Sequence, residues 1–178
     1  STGQVSALTA SQVTNLTTAQ VAAMTTAQVN VLSTSQVEAL STGQVAAMTT
    51  TQVAALSTGS VSALSVADVR ALSTGQVNAI STAGVAVMST AQIAALSTEQ
   101  VAAFSTSQVA ALTTSEAATL SAAQAKALTT SQVQQLTTSN VKALELNSVK
   151  AMTSTQLAAM STTQLNALET ADFANLND

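Results

Sequence analysis

Few side chains in this sequence could do chemistry. The acids are Glu38, Asp68, Glu99, Glu116, Glu145, Glu169, Asp172 and Asp178, scattered along the chain, and the cations are Arg70, Lys126, Lys142 and Lys150. There is no His and no Cys among the 178 residues, so the common nucleophile, acid–base and thiolate-metal arrangements cannot be assembled. Gly43, Gly59 and Gly75 recur at one fixed register and form no phosphate-cradling loop. Asn15-Leu16-Thr17 matches an N-glycosylation sequon, a three-residue match common by chance. The chemistry that does recur is hydroxyl and amide: pairs of Ser or Thr followed by Gln. Regular Thr hydroxyls could be O-glycosylated, or could form an array that binds ice or surface glycans. No catalytic, cofactor-binding or metal-binding residue is expected, and no cofactor.

Composition narrows the partners. Charged residues are 7% of the chain, against roughly 25% in typical globular proteins. Hydrophobic residues are 47%, mostly Ala, Val and Leu, too many for a disordered tail. No apolar run approaches the ~18 residues of a spanning helix, so membrane insertion is not expected. A net charge of −4 argues against nucleic acid or an anionic membrane surface as partner. No signal peptide is visible, which fits a mature protein or an excised piece.

The scarce chemistry sits on a repeat. From Ser1 the chain divides into 22 consecutive octads without insertion or deletion, through residue 176, leaving Asn177 and Asp178. One repetitive solenoid over 1–178 is the expected organisation. Rank one is Ser or Thr in 20 of 22 octads, the exceptions being Glu145 and Glu169. Rank four is Gln in 15, with Glu116, Asp68, Asp172 and Asn140 replacing it in four more. Rank five is Val in 16, and rank eight is always Leu, Met, Ile or Phe.

A single long helix cannot keep such a face buried. Eight residues advance about 800°, which leaves about 80° of drift per octad. A β-solenoid is disfavoured by the Ala- and Gln-rich Q-V-x-A-L segments. A new helix start in every octad fits better. Ser or Thr at rank one is a preferred N-cap. Gln three residues later completes a capping box, and the preceding Leu with the following Val makes a hydrophobic staple. Leu40, Ser41, Gln44 and Val45 show all four parts. The predicted fold is all-α: a solenoid of helices of about six residues, one per octad, stable only by stacking. Gln44→Ala, Gln52→Ala and Gln92→Ala are each expected to cost about 1 kcal/mol or less, the usual scale for a cap.

Ranks five and eight share a helical face and are expected in the core. Ranks three and seven are mostly small and are expected at the contact between coils. Rank six carries every cation and is expected to face solvent. Charge spacing bears on the number of octads per coil. Three octads apart, Lys126 finds Glu99 and Glu145, Lys142 finds Glu116, and Lys150 finds Glu169 and Asp172. Four apart, three of the four cations also find partners. About three octads per coil is the preferred reading, with four as the alternative. Phe104, three octads before the core residue Ala125, also favours three. Ala117 and Ala125, both at the Val rank, are expected to mark the weakest stretch.

The phrase L-S-T-x-Q-V-A-A-L resembles the first helix of transcription activator-like effector repeats, which begin L-T-P-x-Q-V. The rest of that unit, its base-reading residues and its basic surface are missing, so DNA binding is not expected. The whole chain more closely resembles the LTTAQVAAL octad tracts of very large bacterial secreted and cell-surface proteins, adhesin-like ones among them, and all 22 octads fit. That resemblance implies a non-enzymatic extracellular rod, stalk or self-associating filament on or outside a bacterial cell. The implied partner is the chain itself, end to end or laterally, or flanking repeats of a longer chain. The alternative function is a module binding ice or surface glycans through the Ser/Thr array.

Overall fold

The computed structural model describes residues 1–168. Glu169, Asp172, Phe173, Asn177 and Asp178 lie outside the described residues. Within them every octad forms one helix, 21 in all, from α1 (Thr2–Ser6) to α21 (Thr162–Ala167), and no strand is present among the described residues. The helices have four to six residues. They belong to two compact units, residues 1–88 and 89–178.

The helices start where the local chemistry says they should. A capping box closes all but three of the 21, as at Ser41, whose hydroxyl accepts from the Gln44 N–H while Gln44 Oε1 accepts from the Ser41 N–H. The three without one are α8 (Thr58–Ala63), α11 (Thr82–Val85) and α19 (Leu146–Ala151), which have Ser60, Gly84 and Ser148 at rank four. At α19 the N-cap is Glu145, whose side chain makes no capping bond.

The helices stop without special residues. In many octads rank eight is already extended, as at Leu72 (φ −62°, ψ 136°), and rank one follows in the same region, as at Ser73 (φ −67°, ψ 161°). Two successive extended residues swing the chain into the next helix. Both conformations are open to any L-residue, and no described residue has a positive φ. The bend therefore needs neither glycine nor proline.

Within each unit a helix packs against the third helix after it. In the first unit α1 packs on α4 (Thr26–Asn30), and in the second α16 (Ala122–Ala127) packs on α19. The interior is filled from ranks five and eight, as the pattern requires. Val13, Val29, Val45 and Val77 are fully buried in the first unit, and Ile93, Val109 and Val133 in the second. Ala117 and Ala125 are equally buried. Each buried Val contributes about 1.5–3 kcal/mol and an Ala less, so the two Ala octads carry the least apolar stabilisation per helix.

Two expectations about faces need correcting. Rank three is not a tight inter-coil contact. A Cβ added at Gly43 or Gly75 would lie 4.0 or 3.6 Å from the methyl of Thr18 or Thr50, an ordinary distance. Rank six does face solvent, yet its polar side chains also cross between coils: Thr14 Oγ1 donates to the Ala39 carbonyl and Asn30 Nδ2 to that of Ala55, 25 residues on.

The glycines separate by environment. Gly75→Ala should stabilise by about 0.5–1 kcal/mol, since a Gly within a helix, here in the first turn of α10 (Thr74–Ala79), costs conformational entropy and nothing blocks the methyl. Gly84→Ala should destabilise, because its Cβ would sit 2.9 Å from Ile80 Cγ2 and 3.2 Å from Val61 Cγ2. Chemical denaturation of the two variants checks the opposite signs.

Candidate functional site

The feature that recurs most completely is a ladder of buried glutamines. The sequence pattern assigns rank four a capping role. In the structure the same side chain works in two directions. At Gln52, Oε1 accepts from the Thr49 N–H at 2.7 Å, closing the capping box. The amide Nε2 points the other way, into the preceding coil, and donates to the carbonyls of Val21 (2.8 Å) and Met24 (2.7 Å). Gln36 does the same to Val5 and Leu8, and Gln44 to Val13 and Leu16. In the second unit Gln124 reaches Ile93 and Leu96, Gln156 reaches Ala125 and Leu128, and Gln164 reaches Val133 and Leu136.

Each amide thus bonds the rank-five and rank-eight carbonyls 31 and 28 residues earlier. The rank-five carbonyl already accepts the rank-eight N–H of its own octad, as Val21 does from Met24, and the glutamine adds a second bond to it. The rank-eight carbonyl is one a short helix leaves free at its C-terminus. The glutamines that hold them are nearly dry: Gln44, Gln52 and Gln132 are 2% exposed. A buried donor and two buried acceptors satisfy each other. Where rank four is shorter the reach shortens too. Asn140 Nδ2 bonds the Leu112 carbonyl and Ser148 Oγ that of Leu120.

These distances along the chain define the coil. Helices pair three octads apart, but the glutamine bonds reach carbonyls four octads back, and the rank-six bonds span 25 residues. A coil therefore holds between three and four octads, and successive helices do not stack in straight columns. Of the opposite charges that suggested three octads, Glu169 and Asp172 lie outside the described residues and the others play no part. Among the described residues Lys126 forms no ion pair with Glu99 or Glu145, nor Lys142 with Glu116. Main-chain acceptors and a neutral amide set the register instead.

The acidic residues fall into distinct settings. Asp68 replaces Gln in a capping box, with Oδ2 accepting from the Ser65 N–H and hydroxyl. Glu116 also completes a box, Oε2 accepting from the Thr113 N–H at 2.6 Å, but its buried Oε1 has no partner. Glu99 stands in the first turn of α13 (Thr98–Ala102), on the exposed rank three. Its own backbone N–H, then the Ser97 and Thr98 hydroxyls, hold its carboxyl below the ordinary glutamate range. The sign follows from the depressed value: its small contribution to stability is present above the unfolded-state value and fades as pH falls through the folded one. A carbon-detected NMR titration should place the Glu99 midpoint below that of an unstructured glutamate.

Asn15 is exposed, but its Nδ2 donates to the Ser11 carbonyl, and Thr17 of the same sequon is engaged as an N-cap. The rank-six cations Arg70, Lys126, Lys142 and Lys150 are exposed. No group of acidic side chains that could hold a metal ion occurs among the described residues, and they enclose no pocket. No helix of the described residues is long and apolar enough to cross a membrane.

The fold and its ladder define a class: a tandem repeat of octad helices joined by buried main-chain-bonding glutamines. The ALTTAQ repeat model matches residues 15–42, 21–58, 36–66, 61–98, 85–121 and 141–178, more than half of the chain, and the chain belongs to that repeat family. No curated protein and no solved structure matches it.

Proposed function

We propose that this chain is a non-enzymatic structural repeat, an extended spacer, stalk or self-associating filament on or outside a bacterial cell. The observation that carries this reading is the ladder itself. Both ends of the rank-four glutamine side chain are committed to holding one octad to its own start and to the coil before. Nearest-neighbour bonding of this kind lets stability and length grow by adding octads, as a spacer requires. The extracellular setting rests on the resemblance of all 22 octads to tracts of large secreted and cell-surface proteins.

Small-angle scattering on chains of 11, 22 and 44 octads tests the spacer reading. A longest dimension that rises linearly with octad number, at constant cross-section, is the expected result. A dimension that levels off would sink it. Thermal hysteresis, or binding on a glycan array, would replace the spacer with a binding module. Protease shaving of intact cells of the source bacterium tests the location: loss of the octad tract supports exposure at the surface, and full protection overturns it.

A further inference from the structure

The glutamine ladder is broken inside the first unit. Residues 57–88 hold four octads, and only one of them, with Gln76, reaches back to a rank-five and a rank-eight carbonyl, those of Val45 and Met48. Ser60 Oγ pairs instead with Ser57 Oγ, 2.8 Å away. Asp68 accepts from Ser65 through Oδ2, and a carboxylate has nothing to donate. Gly84 has no side chain, and Ile80 and Val61 crowd the place a Cβ would take. The carbonyls four octads back, of Val29 and Leu32, Val37 and Leu40, and Val53 and Leu56, receive no side-chain donor among the described residues. The three octads before these supply both bonds each, from Gln36, Gln44 and Gln52. In the second unit even shorter side chains still reach back, as Asn140 and Ser148 do. Ser148 differs from Ser60 in its N-cap: Glu145 makes no capping bond, so nothing competes for the hydroxyl.

We infer that the seam between residues 25–56 and 57–88 is a built-in opening point, which parts before the seams whose octads carry full glutamine bonding. Apolar packing does not compensate for the missing bonds. Val61, Val69, Val77 and Val85 are buried as the Val of other octads are, with no larger residue among them. Capping is weaker there as well: α8 and α11 lack a box. With four residues, α11 is the shortest helix among the described residues, and Val87 just beyond it is 42% exposed. Short helices hold only by stacking, so the seam with the fewest bonds between coils opens at the lowest cost. In a spacer under load, a role that rests on the structural-repeat reading above, this seam yields first and releases length while the bonded coils stay folded.

Thiol labelling of the whole chain under native conditions tests the seam. The chain has no cysteine of its own, and a buried thiol reacts only when the structure around it opens. Val69 and Val133 are both fully buried at rank five. Val133 follows Gln132, whose amide holds the Val101 and Phe104 carbonyls. Val69→Cys should react with iodoacetamide at least about tenfold faster than Val133→Cys. Adding S60Q/D68Q should slow Val69→Cys toward the rate of Val133→Cys. Transplanting the defect with Q124S/Q132D should speed Val133→Cys toward the rate of Val69→Cys. Circular dichroism confirms that each variant keeps the parent's helix content. Equal rates for the two single variants overturn the seam, as does a transplanted defect that leaves Val133→Cys slow. The scaling of length with octad number is read by scattering alone, so failure of the spacer is told apart from failure of the seam.

Discussion

Gln52→Ala should lower stability by about 2–4 kcal/mol, while Gln20→Ala should cost about 1 kcal/mol or less. The two residues occupy the same rank, follow the same Thr-Thr-x pattern and close the same capping box. Losing the box accounts for about 1 kcal/mol in each. The difference lies at the amide. Gln52 Nε2 holds the Val21 and Met24 carbonyls from a position 2% exposed. Truncation leaves buried main-chain acceptors without that donor, at about 1–3 kcal/mol. Gln20 is exposed and has no such acceptors to abandon. Urea denaturation of both variants measures the gap. Equal costs would mean that the glutamine acts only as a cap and that the inter-coil bonds contribute nothing.

Glu116→Gln should stabilise the chain by about 1–3 kcal/mol, an unusual direction for a substitution at a buried site. Glu116 is 2% exposed, and its Oε1 is buried with no partner. Glutamine has the same shape. It keeps the acceptor that binds the Thr113 N–H and puts an N–H₂ where the orphan oxygen stands. At other octads, Gln36 and Gln164 among them, that amide finds main-chain carbonyls. Relieving one buried unsatisfied atom and adding one donor sets the magnitude. Thermal and urea unfolding of the single variant decides it. An unchanged or lower midpoint would show that the local backbone offers this octad no acceptor.

The helix starts were legible in the sequence because a capping box is local. Ser41 and Gln44 are three residues apart, and their reciprocal bonds follow from residue type and spacing alone. The core ranks were legible for the same reason, since Val45 and Met48 share a face of one helix. What could not be read was the second half of Gln44. Its bonds to Val13 and Leu16 span 31 and 28 residues, and they depend on how far the bends carry the chain around the coil. Those bends lie in ordinary extended backbone with no marker residue. The burial of rank four carried one signal: a position held as Gln in 15 octads, with Glu, Asp or Asn in most others, is more restricted than a surface cap needs. Charge spacing pointed near the right coil number for a reason that is not realised, because Lys126 and Lys142 stand exposed and make no ion pair with Glu99, Glu145 or Glu116.

The direction of the glutamine bonds also bears on how such a chain is made. Every amide of the ladder reaches back, toward carbonyls 28 and 31 residues nearer the amino end. On a ribosome those acceptors emerge before their donor. Each new octad can therefore dock on a coil that is already folded, and the array can grow vectorially with a lag of about one coil. A chain delivered through a channel carboxyl end first meets the opposite order: its glutamines arrive before anything they can bind. The same covalent sequence is thus asymmetric in time as well as in space, and the end that leads its passage decides whether folding keeps pace with delivery.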